Sequence, residues 1–277
     1  MAELAGETTA FGALREPEAF PPDHRYILGM RVDATSYQRA AEQVVEWANR
    51  QESRYVCVST VHMVMEAHDQ PAFQRMVNNA DMVTSDGMPL VWSLKALGVS
   101  DASRVYGPTL TPIVCRAAAE AGIPVGFYGG SDAVLDRMLG TLADRFPDLK
   151  VVYRHSPPFR ALTSDEEARE LEEIRASGAR IIFVGLGCPK QERWMASHRG
   201  QLDAVMLGVG AAFDFLAGNK RQAPARVQRL GLEWLFRLVT EPRRLWKRYL
   251  YNNPRFVVLF ATQLVRGRLS MIEGRVS

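Results

Sequence analysis

Cysteine is scarce in this chain of 277 residues, with three, at positions 57, 115 and 188. Their wide spacing fits neither a disulfide framework nor a zinc site. A reduced, cytoplasmic protein is expected. Long apolar runs are also missing. No stretch of 18 apolar residues occurs, and the run 256–265 contains Thr262 and Gln263. That is too short and too mixed to span a bilayer. No Gly-x-x-x-x-Gly-Lys-Ser/Thr phosphate loop and no Gly-x-Ser-x-Gly nucleophile turn is present. No His, Cys or Asp cluster has metal-ligand spacing, and no Asp-x-Asp pair could hold a nucleotide-bound cation. Neither a metal nor a cofactor is expected.

What is present is an ordinary globular composition, 47% hydrophobic and 9% aromatic, which rules against disorder. The segment 1–24 carries Glu3, Glu7, Glu16 and Glu18 without an apolar core. It reads as a flexible leader and not as a signal peptide. Net charge is only +3, but it is unevenly spread. Residues 220–277 hold 13 basic and three acidic side chains, leaving an acidic remainder. A basic tail on an acidic body points to an anionic partner: a membrane surface, a nucleic acid or a phosphorylated ligand.

From residue 25 to 218 the pattern alternates. Apolar runs at 25–32, 55–58, 80–84, 124–128, 151–153, 181–184 and 204–209 are separated by helical periodicities. Thr35 with Gln38, and Ser164 with Glu167, have capping-box spacing. Helices are expected over 109–121 and 132–145, and Gly178 should stop the helix that follows Ser164. This order predicts an α/β fold, a mostly parallel Rossmann-like sheet with helices on both faces. Residues 219–277, rich in Arg, Trp and Leu, read as a helical appendage.

In such sheets ligands bind beyond the C-terminal strand ends, and four loops there carry candidate chemistry. Ser59-Thr60-Val61-His62 offers hydroxyls and an imidazole, or simply a helix cap. Thr84-Ser85-Asp86-Gly87 sets a carboxylate after an apolar strand, fit to accept a proton but also plain turn chemistry. Gly129-Gly130-Ser131 allows phosphate or ribose to approach a helix N-terminus, or makes a tight turn. Gly185-Leu186-Gly187-Cys188-Pro189-Lys190-Gln191-Glu192 opens like a dinucleotide fingerprint but has Lys190 where the third glycine belongs. Its Lys190, Gln191 and Glu192 form either a polar mouth or a charged first turn. In the tail, Arg237, Arg243, Arg244, Lys247 and Arg248 interleave with Trp234, Trp246 and Tyr249. Such a helix suits a phosphorylated ligand or an anionic membrane surface. No recognised nucleic-acid motif accompanies it, so no nucleic-acid partner is expected.

Together these segments resemble the WecG/TagA/CpsF glycosyltransferase family over roughly residues 26–255. The resemblance rests on Gly185-Leu186-Gly187-Cys188-Pro189-Lys190-Gln191-Glu192 and on Ser85-Asp86-Gly87-Met88 with Arg104 and Gly107. It rests also on Gly208-Val209-Gly210 with Phe213-Asp214, and on Gly231-Leu232-Glu233-Trp234-Leu235-Phe236-Arg237. It implies metal-independent, inverting transfer from a UDP-sugar to a polyprenyl-diphosphate-linked saccharide, in surface polysaccharide synthesis. The place implied is the inner face of the cell membrane, with the protein held there peripherally. By the same resemblance Asp86 is the general base and Thr60 lines the sugar pocket. Arg104 and Gln191 contact the donor, and Arg237, Arg244 and Arg248 neutralise the departing diphosphate. His62 stands where the family often has Asn, and Gly107-Pro108-Thr109 where it often has glycine-x-aspartate. The donor is thus open between N-acetylmannosamine and a glucose-, glucuronate- or mannose-type sugar. Self-association into a homo-oligomer is also left open. Two other readings stand beside it: a Rossmann-type oxidoreductase, which needs the intact fingerprint, and a non-catalytic membrane adaptor.

Overall fold

The computed structural model describes residues 22–229 and 231–273. The leader expected over 1–24 therefore lies almost wholly outside the described residues. The first apolar run does not join the main sheet. It folds back as an antiparallel hairpin of β1 (His24–Ile27) and β2 (Met30–Asp33), with Ile27 opposite Met30. Leu28 and Gly29 turn the chain with φ of 51° and 86°. A two-residue turn with both φ positive matches the twist of paired strands, so the two halves of the run pair with each other.

The six remaining strands form one parallel sheet: β3 (Arg54–Ser59), β4 (Met82–Ser85), β5 (Val125–Gly129), β6 (Val151–His155), β7 (Ile181–Gly185) and β8 (Val205–Gly208). Their order is β4-β3-β8-β7-β5-β6. After β3 the chain steps outward to β4, then crosses to the other half of the sheet for β5. The reversal opens a crevice at the C-terminal ends of the central strands.

Helix α1 (Tyr37–Asn49) precedes β3. Helices α2 (Val61–Asp69) and α3 (Pro71–Asn78) lead to β4, and α4 (Met88–Ala96) and α5 (Gly107–Glu120) to β5. Single helices α6 (Asp132–Arg145), α7 (Ser164–Ser177) and α8 (Lys190–His198) make the next three crossovers. Strand residues alternate between two cores, as a period of two requires. Val56, Val58, Ile181, Phe183, Val205 and Leu207 pack with α1, α5 and α6. Tyr55, Cys57, Ile182, Val184 and Met206 pack with α2, α3, α4, α7, α8 and the hairpin. Both faces are covered, which is why these strands read as unbroken apolar runs.

Two caps are shifted from the sequence expectation. Ser36, not Thr35, caps α1, its Oγ accepting from the Arg39 N–H at 3.2 Å. Thr35 is buried, and its carbonyl is held by the Ser103 hydroxyl at 3.0 Å. The capping box of α7 is Thr163 with Glu166, one residue before the expected pair. Both registers satisfy the spacing; Arg160 selects the earlier one by holding both oxygens of Glu166 at 2.7 Å. Gly178 ends α7 as expected.

Past β8 come α9 (Ala212–Leu216), α10 (Ala225–Arg229), α11 (Glu233–Thr240) and the long α12 (Pro242–Glu273). Helix α12 lies along α2. Leu245 and Phe256 are buried, Arg255 pairs with both oxygens of Asp69, and the Gln263 side chain bonds the backbone of Tyr26 and Leu28. Among the described residues no helix is long and apolar enough to cross a membrane.

Candidate functional site

All four loops that carry chemistry leave the same edge of the sheet, because the strands are parallel. Asp86 directly follows β4, and its N–H donates to the Ser59 carbonyl at the end of β3 at 2.9 Å. That bond ties the carboxylate-bearing loop to Thr60. The Asp86 carboxylate accepts from the Gly107 N–H at the start of α5. A side chain on Gly107 would press on the Val209 carbonyl at 3.2 Å, so glycine lets α5 begin close to the end of β8 without strain. Arg104 reaches across with one nitrogen 3.5 Å from Asp86 Oδ1, while its Nε donates to the Asp86 carbonyl. The same guanidinium pairs with Glu233 of α11 at 2.6 Å and lies over the Tyr106 ring at 4.1 Å. Burial raises the Asp86 carboxyl to about 6, Arg104 and Arg237 pulling it down and Glu233 pushing it up. It is therefore a carboxylate at neutral pH that still has appreciable affinity for a proton.

A second group gathers around Thr60. Thr60 occupies the N-cap of α2, yet its hydroxyl makes no cap bond. It accepts instead from Arg248 of α12 at 3.4 Å. Beside it, His62 Nδ1 is 3.2 Å from Asn252 of α12. Burial, aided by the Arg248 guanidinium, lowers His62 to about 4, so the ring is neutral at physiological pH. Burial also holds Arg248 below its ordinary value, with Arg237 and Arg244 adding like charge. The Nε atoms of both Arg237 and Arg248 are buried without a hydrogen-bond partner. Two guanidinium N–H groups left unmatched in a cleft constitute binding capacity for an anion.

The third group is the turn into α8, whose Cys188-Pro189 peptide is cis. Gln191 is buried; its Oε1 accepts from Gly187 N–H at 3.1 Å and its Nε2 donates to Glu192 at 2.8 Å. The amide lies against Gly208 and Gly210. Glu192 turns inward rather than to the mouth. Burial raises it to about 7, and its Oε2 has no partner. Lys190 is exposed at the rim.

Gly129 and Gly185 serve strand packing. A Cβ on Gly129 would sit 2.7 Å from the Gly185 backbone, and one on Gly185 would strike the Phe213 ring at 2.6 Å. Gly130 and Gly187 have left-handed backbones at the same edge. Arg244 is about half exposed and is held by Glu241 of the preceding turn, which also lies 3.6 Å from Lys220. At this strand edge Arg104 and Arg237 act on Asp86, Arg248 meets Thr60 and His62, and Gln191 lies buried in the adjoining turn. Gly129 and Gly130 sit further along the same edge, while Lys190 and Arg244 stand at its rim. Tyr106, Gln228 and Asn252 join the cleft without having been singled out in the sequence, and Glu233 had appeared only inside a motif.

A profile of one known family fits residues 25–270, almost the entire chain, and its description is the glycosyl transferase WecG/TagA/CpsF family. With the motifs that suggested it now assembled at one strand edge, the chain belongs to the glycosyl transferase WecG/TagA/CpsF family.

Proposed function

We propose that the protein transfers a sugar, with inversion, from a UDP-sugar to a polyprenyl-diphosphate-linked saccharide in the synthesis of a surface polysaccharide. The observation that carries this reading is one partly exposed carboxylate, Asp86, near enough to Arg237 to feel its charge, with unpartnered guanidinium Nε donors on Arg237 and on Arg248, which reaches Thr60. The acceptor oxygen bonds to the anomeric carbon as the carbon–oxygen bond to the UDP phosphate breaks. The acceptor proton passes to Asp86, and the electron pair leaves on the diphosphate. Charge on that leaving group is met by arginine N–H groups. In this reading the step needs no metal.

In this reading residues 25–218 form the catalytic body, and 219–277 an appendage that completes the cleft and rests on the inner face of the membrane. Exposed Trp234, Leu235, Trp246 and Leu250 beside Arg243 and Lys247 support such a contact. Thr60 and neutral His62 line the sugar pocket, and Gln191 orients the donor. The test is Asp86→Asn in a transfer assay over a UDP-sugar panel with a short polyprenyl-diphosphate saccharide. Loss of turnover by at least about 100-fold with donor binding retained is expected. Near-normal turnover would remove the base role.

A further inference from the structure

Arg104 is a single cation shared by two carboxylates. It lies 2.6 Å from Glu233 and 3.5 Å from Asp86, and all three side chains are 15% exposed or less. Attraction falls with distance, so the nearer carboxylate takes the larger share of the guanidinium. Gln228 of α10 occupies a further nitrogen at 3.3 Å, and the Tyr106 ring covers the guanidinium face. Arg104 is therefore held from three sides by groups other than the reactive carboxylate. Two of them, Gln228 and Glu233, come from residues beyond the sheet.

We propose that Glu233 is a positioning residue that draws Arg104 away from Asp86, so that Asp86 remains a competent base and not a closed ion pair. The proposal rests on the base role given to Asp86 above. Without Glu233, the guanidinium would close on Asp86 and quench its affinity for the acceptor proton. The groups facing Asp86 are few. Arg104 and Tyr106 come from the segment before α5, the Gly107 N–H from α5 itself, Tyr37 from α1, and Glu233 with Arg237 from α11. Arg237 and Tyr37 are common to wild type and variant, which leaves Glu233 as the group whose removal changes the balance at Arg104. Its negative charge also raises the Asp86 carboxyl, in the sense a base near neutrality requires.

The test is the pH profile of kcat/KM in Glu233→Gln, read beside Glu233→Asp and Asp86→Asn. In Glu233→Gln the acid limb should move down by about one pH unit, and the plateau should fall about tenfold, since a weaker base accepts the proton less readily. Glu233→Asp, which keeps the charge but shortens the reach, should move the limb in the same direction by less. A folded variant that loses turnover with its acid limb at the wild-type position overturns the proposal, because a purely structural role would do that. If Glu233→Gln fails to fold, Glu233→Asp carries the same reading, and an unmoved limb there overturns it equally. Asp86→Asn separates the two ideas: if it kills turnover while the Glu233 variants keep the wild-type limb, only the positioning role fails. If Asp86→Asn stays active, the base reading fails first.

Discussion

At the scale of single residues, the site depends on a carboxyl group kept more basic than its ordinary value of 3.8. Activity should require its ionised form. The wild-type kcat/KM profile is therefore expected to rise through a single acid limb near pH 6 and then level. A profile flat from pH 5 to 8 would contradict this. The same shift has a thermodynamic side. Between pH 3.8 and about 6 the folded protein retains a proton that the unfolded chain has released, so stability falls as pH rises through that window. Above it, Asp86 is ionised in an unfavourable place, and Asp86→Asn should raise the melting temperature at pH 7.5 while removing turnover. A destabilised Asn variant would show that the Arg104 bridge outweighs desolvation. Asp86 could be found in the sequence because an Asp-Gly directly after an apolar strand must emerge at the strand edge. Glu233 and Gln228 could not be given a role there. Each meets Arg104 across more than 120 positions, and no local pattern records such a contact.

At the scale of elements, β5 approaches β7 so closely at its C-terminal end that a side chain on Gly129 would strike the Gly185 backbone, while Phe213 closes the space at Gly185. Gly129→Ala adds a methyl against the Gly185 backbone at a φ of 120°. It should lower stability by about 2–4 kcal/mol, seen as a lower denaturant midpoint with an unchanged slope. A shift under about 0.5 kcal/mol would mean that the strands separate readily there. The glycine-rich loops were legible as candidate phosphate cradles, yet half of their glycines serve this packing, a distinction that needs the partner strand. The parallel strands themselves were legible because burial on both faces leaves continuous Val, Ile and Phe runs. The opening hairpin was not, because its turn is Leu28-Gly29 rather than an Asn-Gly or Asp-Gly pair. Cap registers slipped by one where two adjacent residues offered the same spacing, as at Thr163 and Ser164.

At the scale of the molecule, the basic tail meets the body through Glu233 on Arg104, Arg248 on Thr60 and Asn252 beside His62. Arg243 and Lys247 face solvent on α12 beside exposed Trp246 and Leu250. Anionic surfaces attract such residues by roughly 1 kcal/mol for each cation near the lipid. The protein should sediment with vesicles containing phosphatidylglycerol, weakly with phosphatidylcholine alone, and less as salt rises. Arg243→Gln with Lys247→Gln should weaken binding at least about tenfold. Equal binding to neutral vesicles at high salt would assign the contact to the aromatic side chains alone. The uneven charge was legible from composition; that the tail also supplies Arg248 and Asn252 to the Thr60 loop was not.

The hairpin turn at Leu28 and the side chain of Gln263 grip one another, although 235 positions separate them. The opening strands are thus a buckle for the final helix, and that helix carries Arg248 some four turns earlier. Anyone trimming the chain for expression should leave this clasp shut. Excising the first two strands would remove none of the proposed catalytic groups, yet it would loosen the helix that presents Arg248 to Thr60.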